Sequence, residues 1–296
     1  MSIPENGSQT APDGDDDLYR VSEPVEPQVR PEFVERYMRQ AEQRRTSAAE
    51  EPPPPPRWPM VSGVFTFPWY PQTLASWVFI SLGLIVTGLM VMFLWGPGAA
   101  IGLLGVRLLG PPTCAAAVLS FSYAFACCLT IIEETSNGWD AVDDWPEMNW
   151  KEWVWSFGHV MALLLQAGLV GLALQLVTSS DSRWPTVLGT FLAFPIVLLG
   201  ALAAGGAWVP LSILPVLRSM VLLWRAWGMF YLEATAMAAV WMTLTVAGLR
   251  RSPWLVPLYS GPLLAAVMLI YARLVGRLAG CIAAEMESRP EDESPP

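Results

Sequence analysis

Between Glu133 and Trp155 the chain reads EETSNGWDAVDDWPEMNWKEWVW. This stretch gathers seven carboxylates, five tryptophans and the single lysine of the protein. Carboxylates at such density bind hard cations through oxygen ligands, or they dock a basic partner. Glu133, Glu134, Asp140, Asp143, Asp144 and Glu147 are the candidates for either role. The tryptophans argue for a third use, an aromatic belt at a membrane interface with the acids turned to water. Ser136-Asn137-Gly138 is a turn signal. Pro146 suits the first turn of a new helix, in which Glu147 and Lys151 form a favourable i,i+4 pair. Trp150, Trp153 and Phe157 then share a face of that helix.

Three further groups carry candidate chemistry. Glu233 is the only acid inside an expected membrane span, where a carboxylate is costly and invites a role in ion or proton carriage. The bland reading is an ion pair or hydrogen bond inside the bundle. His159 and Gln166 are seven residues apart on one helical face. A proton relay would use them; joining neighbouring helices is the commoner use of such groups. Gly276 and Gly280 stand in GxxxG spacing between Arg273 and the end of the last span, as do Gly98 and Gly102 before the second. No GxSxG, HExxH or P-loop pattern occurs, and one histidine without a matched nucleophile gives little to catalysis. Four cysteines, none in CxxC spacing, do not make a zinc set. Asp13, Asp15 and Asp17 open like a calcium loop, but Leu18 and Pro24 stand where the glycine and glutamate belong. No catalytic residue, metal or cofactor is expected, and the chain reads as non-enzymatic.

The elements that must position these groups are membrane helices. The chain has 296 residues, 53% of them hydrophobic, and a net charge of −9. Of 26 acidic residues, 12 precede Trp58, seven lie in the Glu133–Trp155 stretch and five follow Ala284. Long stretches between are nearly uncharged, the mark of a polytopic membrane protein. Six apolar runs are expected to span as α-helices: Leu74–Trp95, Thr113–Ile132, Trp155–Val177, Thr186–Ala207, Met229–Leu249 and Trp254–Val275. The fold class is therefore all-α, a transmembrane helical bundle over residues 58–284. Gly96–Pro112 and Trp208–Gly228 are long connections, interfacial or re-entrant, and Arg218 and Arg225 of the second are seven apart on one face. Trp58 to Tyr70 is an aromatic, proline-rich approach at the headgroup level.

The tails read differently. Residues 1–57 are acidic and proline-rich and are expected to be disordered, with a short helix at Pro31–Arg45 and a polyproline spacer at Pro52–Pro56. Residues 285–296 form a second acidic, disordered tail. The N-terminus has no secretory h-region. Six spans place both termini on one side. With the N-terminus cytoplasmic, Arg57, Lys151, Arg218, Arg225, Arg273 and Arg277 flank the inside, against Arg107, Arg183, Arg250 and Arg251 outside. The acids of Glu133–Trp155 then lie by an anionic leaflet that repels them, unless Arg218, Arg225, Arg273 and Arg277 pair with them. Acidic tails exclude nucleic acid as a partner.

The run Glu133 to Asp140, followed by Asp144-Trp145-Pro146, resembles a pattern in uncharacterised polytopic membrane proteins of planctomycete-type bacteria, where an acidic turn sits between two spans. The resemblance covers this short segment and implies a bacterial inner membrane, without a function. Two functions remain open. One is a scaffold or accessory protein that presents the N-terminal tail and the acidic segment to protein partners from the lipid bilayer. The other is a small transporter or channel lined by Glu233 and His159.

Overall fold

The computed structural model describes residues 60–95, 103–139, 141–142, 144–147, 149–179, 182–209 and 213–287. The expected disordered tails, the Pro31–Arg45 helix, the polyproline spacer, Gly98, Gly102, Asp140 and Asp143 lie outside them. Within them the elements are α1 (Pro71–Trp95), α2 (Leu103–Ser136), α3 (Trp150–Thr178), α4 (Trp184–Ala203), α5 (Ile213–Leu222), α6 (Trp224–Arg251) and α7 (Val256–Glu287). Two 3₁₀ turns, Phe67–Trp69 and Pro253–Leu255, lead into α1 and α7. All helices but α5 are long and apolar enough to cross a membrane. The protein is an all-α, multi-pass integral membrane protein.

Several boundaries differ from expectation. α2 is 34 residues long and absorbs Leu103–Pro112, which was expected as an interfacial or re-entrant connection. Pro111 and Pro112 sit inside it; the apolar surroundings leave the backbone no water to turn to, so helix continues across them. α3 begins at Trp150, and Pro146 and Glu147 lie in the coil before it. The start is set by Asn149, whose Oδ1 accepts from the Lys151 N–H while its Nδ2 donates to Glu152 at 2.5 Å. The side-chain cap that Asn149 gives the Lys151 N–H fixes the start there rather than at the proline. α7 runs through Val275 to Glu287, so Arg273 and Arg277 are inside a helix and not at its flank. Leu223 is non-helical, with φ −108° and ψ 37°, and separates α5 from α6. The helical face expected to carry both Arg218 and Arg225 is therefore broken between them.

α7 is the helix around which the others assemble, packing against α1, α2 and α6. It holds 32 residues, ~48 Å at 1.5 Å per residue, against ~30 Å of hydrocarbon. Its last turns therefore extend beyond the apolar layer, toward the end where α1 begins and α2 finishes. That end is called proximal below. Apolar side chains such as Leu165, Leu169 and Leu176 point outward from the helices, where a bilayer covers them.

Helix contacts depend on small residues, because lipid gives helices no hydrophobic drive to associate. A Cβ on Gly276 would stand 2.8 Å from the Thr135 Cβ and 2.9 Å from the Ile132 carbonyl oxygen of α2. One turn on, a Cβ on Gly280 would stand 3.2 Å from the Ser136 carbonyl oxygen. The GxxxG pair of α7 is thus the seat of α2. In the α3–α4 hairpin a Cβ on Gly189 would come within 2.7 Å of the Gly171 Cα. Gly276→Leu should destabilise the detergent-solubilised protein by about 1–3 kcal/mol. Gly168→Leu is the control, since nothing lies within 4 Å of that position, and a thermal melt that shows equal loss for both would refute the α2–α7 contact.

Candidate functional site

Arg273 is 0% exposed and Arg277 is 8% exposed, an unusual state for two guanidinium groups four residues apart on one helix. The segment that leads into α1 covers them. The Arg273 guanidinium lies over the Phe67 ring, 4.3 Å from its centroid. Arg277 Nη1 donates to the Ser62 carbonyl at 2.5 Å. Phe67 and Val64 are fully buried. The sequence makes this strap possible at Gly63. Its φ of +72° belongs to the left-handed region, and a Cβ there would stand 3.2 Å from the Tyr70 hydroxyl and 3.9 Å from Arg277 Nη2. The turn at Gly63 presents the Ser62 carbonyl, and the 3₁₀ turn Phe67–Trp69 presents the ring.

Glu233 reaches the same region from α6. It is 8% exposed, on the helix face that also buries Trp227, Phe230 and Ala234. The Arg277 charge acts on it across the α6–α7 contact. Its Oε2 is buried with no hydrogen-bond partner among the described residues. An aromatic cluster holds this face inward. Phe230 packs on Tyr271 of α7 with ring centroids 5.6 Å apart, and Tyr271 stacks on Phe194 of α4 at 6.3 Å. Tyr231 donates its hydroxyl to the Leu192 carbonyl at 2.8 Å, next to the turn of α4 that Pro195 loosens.

The acid-rich segment opens as the last turn of α2. Glu133 is exposed and Glu134 half-buried. Gly138, with φ +87°, ends the helix: Trp139 N–H bonds the Glu134 carbonyl at 3.1 Å and Gly138 N–H the Thr135 carbonyl at 3.2 Å. This is a Schellman cap, and it bears out the turn signal. Beyond it Val142 is buried, while Asp144 and Glu147 are exposed. Trp153 donates its indole N–H to the Glu147 carbonyl at 2.9 Å and packs edge-on against Tyr123 of α2 at 4.9 Å. Among the described residues no three of His, Cys, Asp and Glu converge as a metal cluster. Thr135 and Ser136 flank Gly276 and Gly280, so the start of the acidic segment and the arginine pair share the proximal end.

His159 and Gln166 meet one object, Trp208 of the α4–α5 connection. The His159 ring lies edge-on to it at 5.7 Å, and Gln166 Nε2 donates to its carbonyl at 2.8 Å. Trp155 adds a second edge contact at 4.8 Å. This is helix-to-loop seating. α3 packs on α2 and α4, whereas α6 packs on α7 and α5, so His159 and Glu233 belong to different interfaces. Arg218 and Arg225 are exposed, the latter 5.4 Å above the Trp224 ring. Sequence reasoning missed Ser62, Phe67 and Tyr231. Phe67 had been placed at the headgroup level, but nothing in its spacing points to Arg273, which is 206 positions away.

Glu233→Gln and Arg277→Gln, singly and together, should show a coupling energy of about 0.5–3 kcal/mol in equilibrium unfolding. Strict additivity would mean that the two charges do not sense each other.

No family model, curated protein or solved structure matches the chain, and its function is therefore argued from this geometry.

Proposed function

We propose that the protein is a non-enzymatic membrane scaffold whose helical domain anchors acidic, aromatic segments at one membrane face for protein partners. One observation carries this reading: at the proximal end the chain's own strap occupies the buried arginines, while Glu133, Asp144 and Glu147 stay exposed. Groups held this way serve shape, and groups left in water are accessible to a partner. Exposed carboxylates favour a basic partner segment. The basic residues count six against four in favour of the proximal end facing the cytoplasm. The resemblance to planctomycete-type membrane proteins supports a bacterial inner membrane. Pairing between the acids of this segment and Arg218, Arg225, Arg273 or Arg277 belongs to the same proposal, since it relieves repulsion from an anionic leaflet.

A second reading is favoured by a specific observation, the buried Glu233 oxygen without a hydrogen-bond partner. A carboxylate in that state suits proton or cation carriage. Vesicles reconstituted with the full chain discriminate the two. The scaffold reading expects proton and alkali-cation leak rates equal to those of Glu233→Gln vesicles and close to protein-free vesicles. Flux that the wild type supports and Glu233→Gln abolishes would overturn it in favour of a transporter.

A further inference from the structure

α5 has two unlike faces. Val216 and Ser219 are buried, and the Ser219 hydroxyl donates to the Val216 carbonyl at 2.6 Å and accepts from the Trp227 indole at 3.2 Å. Leu214, Leu217 and Val221 share the opposite face at helical spacing, and Leu214 and Val221 are almost four-fifths exposed. Between α5 and the end of α7 lies a cleft of about 380 Å³, with Ile282 and Met286 on its α7 side. α5 is thus level with turns of α7 that lie past the apolar layer. A ten-residue helix there, joining the proximal ends of α4 and α6, lies in the headgroup layer with its outer face against the acyl boundary.

The charge of this shoulder is opposite to that of the whole protein. The chain carries a net −9, yet residues 182–232 contain three arginines and no acid. Two of the three, Arg218 of α5 and Arg225 in the first turn of α6, are exposed at the proximal end. Arg218 stands at the edge of the apolar face, one turn from Leu214. Arg225 lies over the Trp224 ring, 5.4 Å from its centroid, and Trp224 is 65% exposed, as suits a residue at the headgroup level. Among the described residues no hydrogen bond or ion pair holds either guanidinium. The carboxylate that lines the same cleft, Glu285, is already engaged in an interaction of its own.

We propose that the α5–α6 shoulder is a docking surface for anionic phospholipid of the proximal leaflet. Arg218 and Arg225 take lipid phosphates through their planar forks of donors, while Leu214, Leu217 and Val221 rest on the acyl boundary beneath. Charge complementarity sets the preference. An anionic head group offers its phosphate with no cation attached, whereas a zwitterionic one carries an ammonium that competes with the arginines. The apolar face sets the class of partner, because an acidic protein segment paired with the arginines would leave Leu214 and Val221 uncovered. The surface is separate from the strap and from Glu233. The proposal goes beyond the scaffold reading, and for these two arginines it competes with pairing to the acids of the Glu133–Trp155 segment.

The test places the photoreactive amino acid p-benzoylphenylalanine at Val221 of the full chain, in nanodiscs with equal parts of phosphatidylglycerol and phosphatidylcholine. Mass spectrometry of the irradiated protein reads which lipid is attached at that position. Phosphatidylglycerol adducts should exceed phosphatidylcholine adducts about tenfold. Arg218→Gln combined with Arg225→Gln should bring the two lipids to parity with an unchanged thermal melt. Arg250→Gln combined with Arg251→Gln, at the far end of α6, should leave the preference as it is. The proposal would be overturned by the absence of lipid adducts at Val221, by parity in the otherwise unaltered chain, or by a preference that survives loss of Arg218 and Arg225. Loss of the preference in the Arg250–Arg251 variant, or a crosslink to the Glu133–Trp155 peptide in place of lipid, would overturn it as well.

Discussion

Two arginines inside one helix set the terms for the proximal end of this protein. A guanidinium cannot be neutralised at any ordinary pH, and at the membrane level its burial is costly unless something replaces water. Arg273, with no exposed surface, receives an aromatic face from Phe67; a desolvated contact of this kind is worth about 2 kcal/mol. Arg277 receives a backbone carbonyl from Ser62, and its charge is within reach of the buried Glu233 on α6. Phe67 and Ser62 come from the strap before α1, and Glu233 comes from α6. The strap before α1, the interior of α6 and the last third of α7 are therefore bound to one another by the same requirement.

That requirement also explains which surfaces are small and which are aromatic. α2 approaches α7 at Gly276 and Gly280, on either side of Arg277, so the helix backbones meet where the arginine side chains turn away toward the strap. Across α7 the interface with α4 and α6 is built from rings instead: Phe194, Trp227, Phe230, Tyr231 and Tyr271. Rings fill wide gaps and bring their own polar handle, which Tyr231 uses on the Leu192 carbonyl. The α3–α4 hairpin joins the rest through this cluster and through ring pairs to α2, such as Phe125 with Phe157.

The distribution of polar groups bears on function more than any single residue does. At the proximal end lie the arginine pair, the Schellman-capped end of α2, the exposed acids Asp144 and Glu147, and the cleft under α5. His159, a candidate for proton chemistry beside Glu233, lies edge-on to Trp208.

Hydropathy alone determined the fold class and the number of spans, because a bilayer admits only helices or closed barrels and these runs lack barrel alternation. Local chemistry determined the turn at Gly138, since only a left-handed residue there satisfies the carbonyls that end α2. Helix ends were less legible: Asn149 rather than Pro146 set the start of α3, and α7 ran past its apolar stretch because tertiary contacts cover its arginines. The strap's contacts with those arginines were not legible. Charge counting placed Arg273 and Arg277 at a flank, and a face of Phe67 and a carbonyl at Ser62 have no charge to count. Contacts between segments some two hundred residues apart follow from how helices pack, and only the assembled bundle decides them.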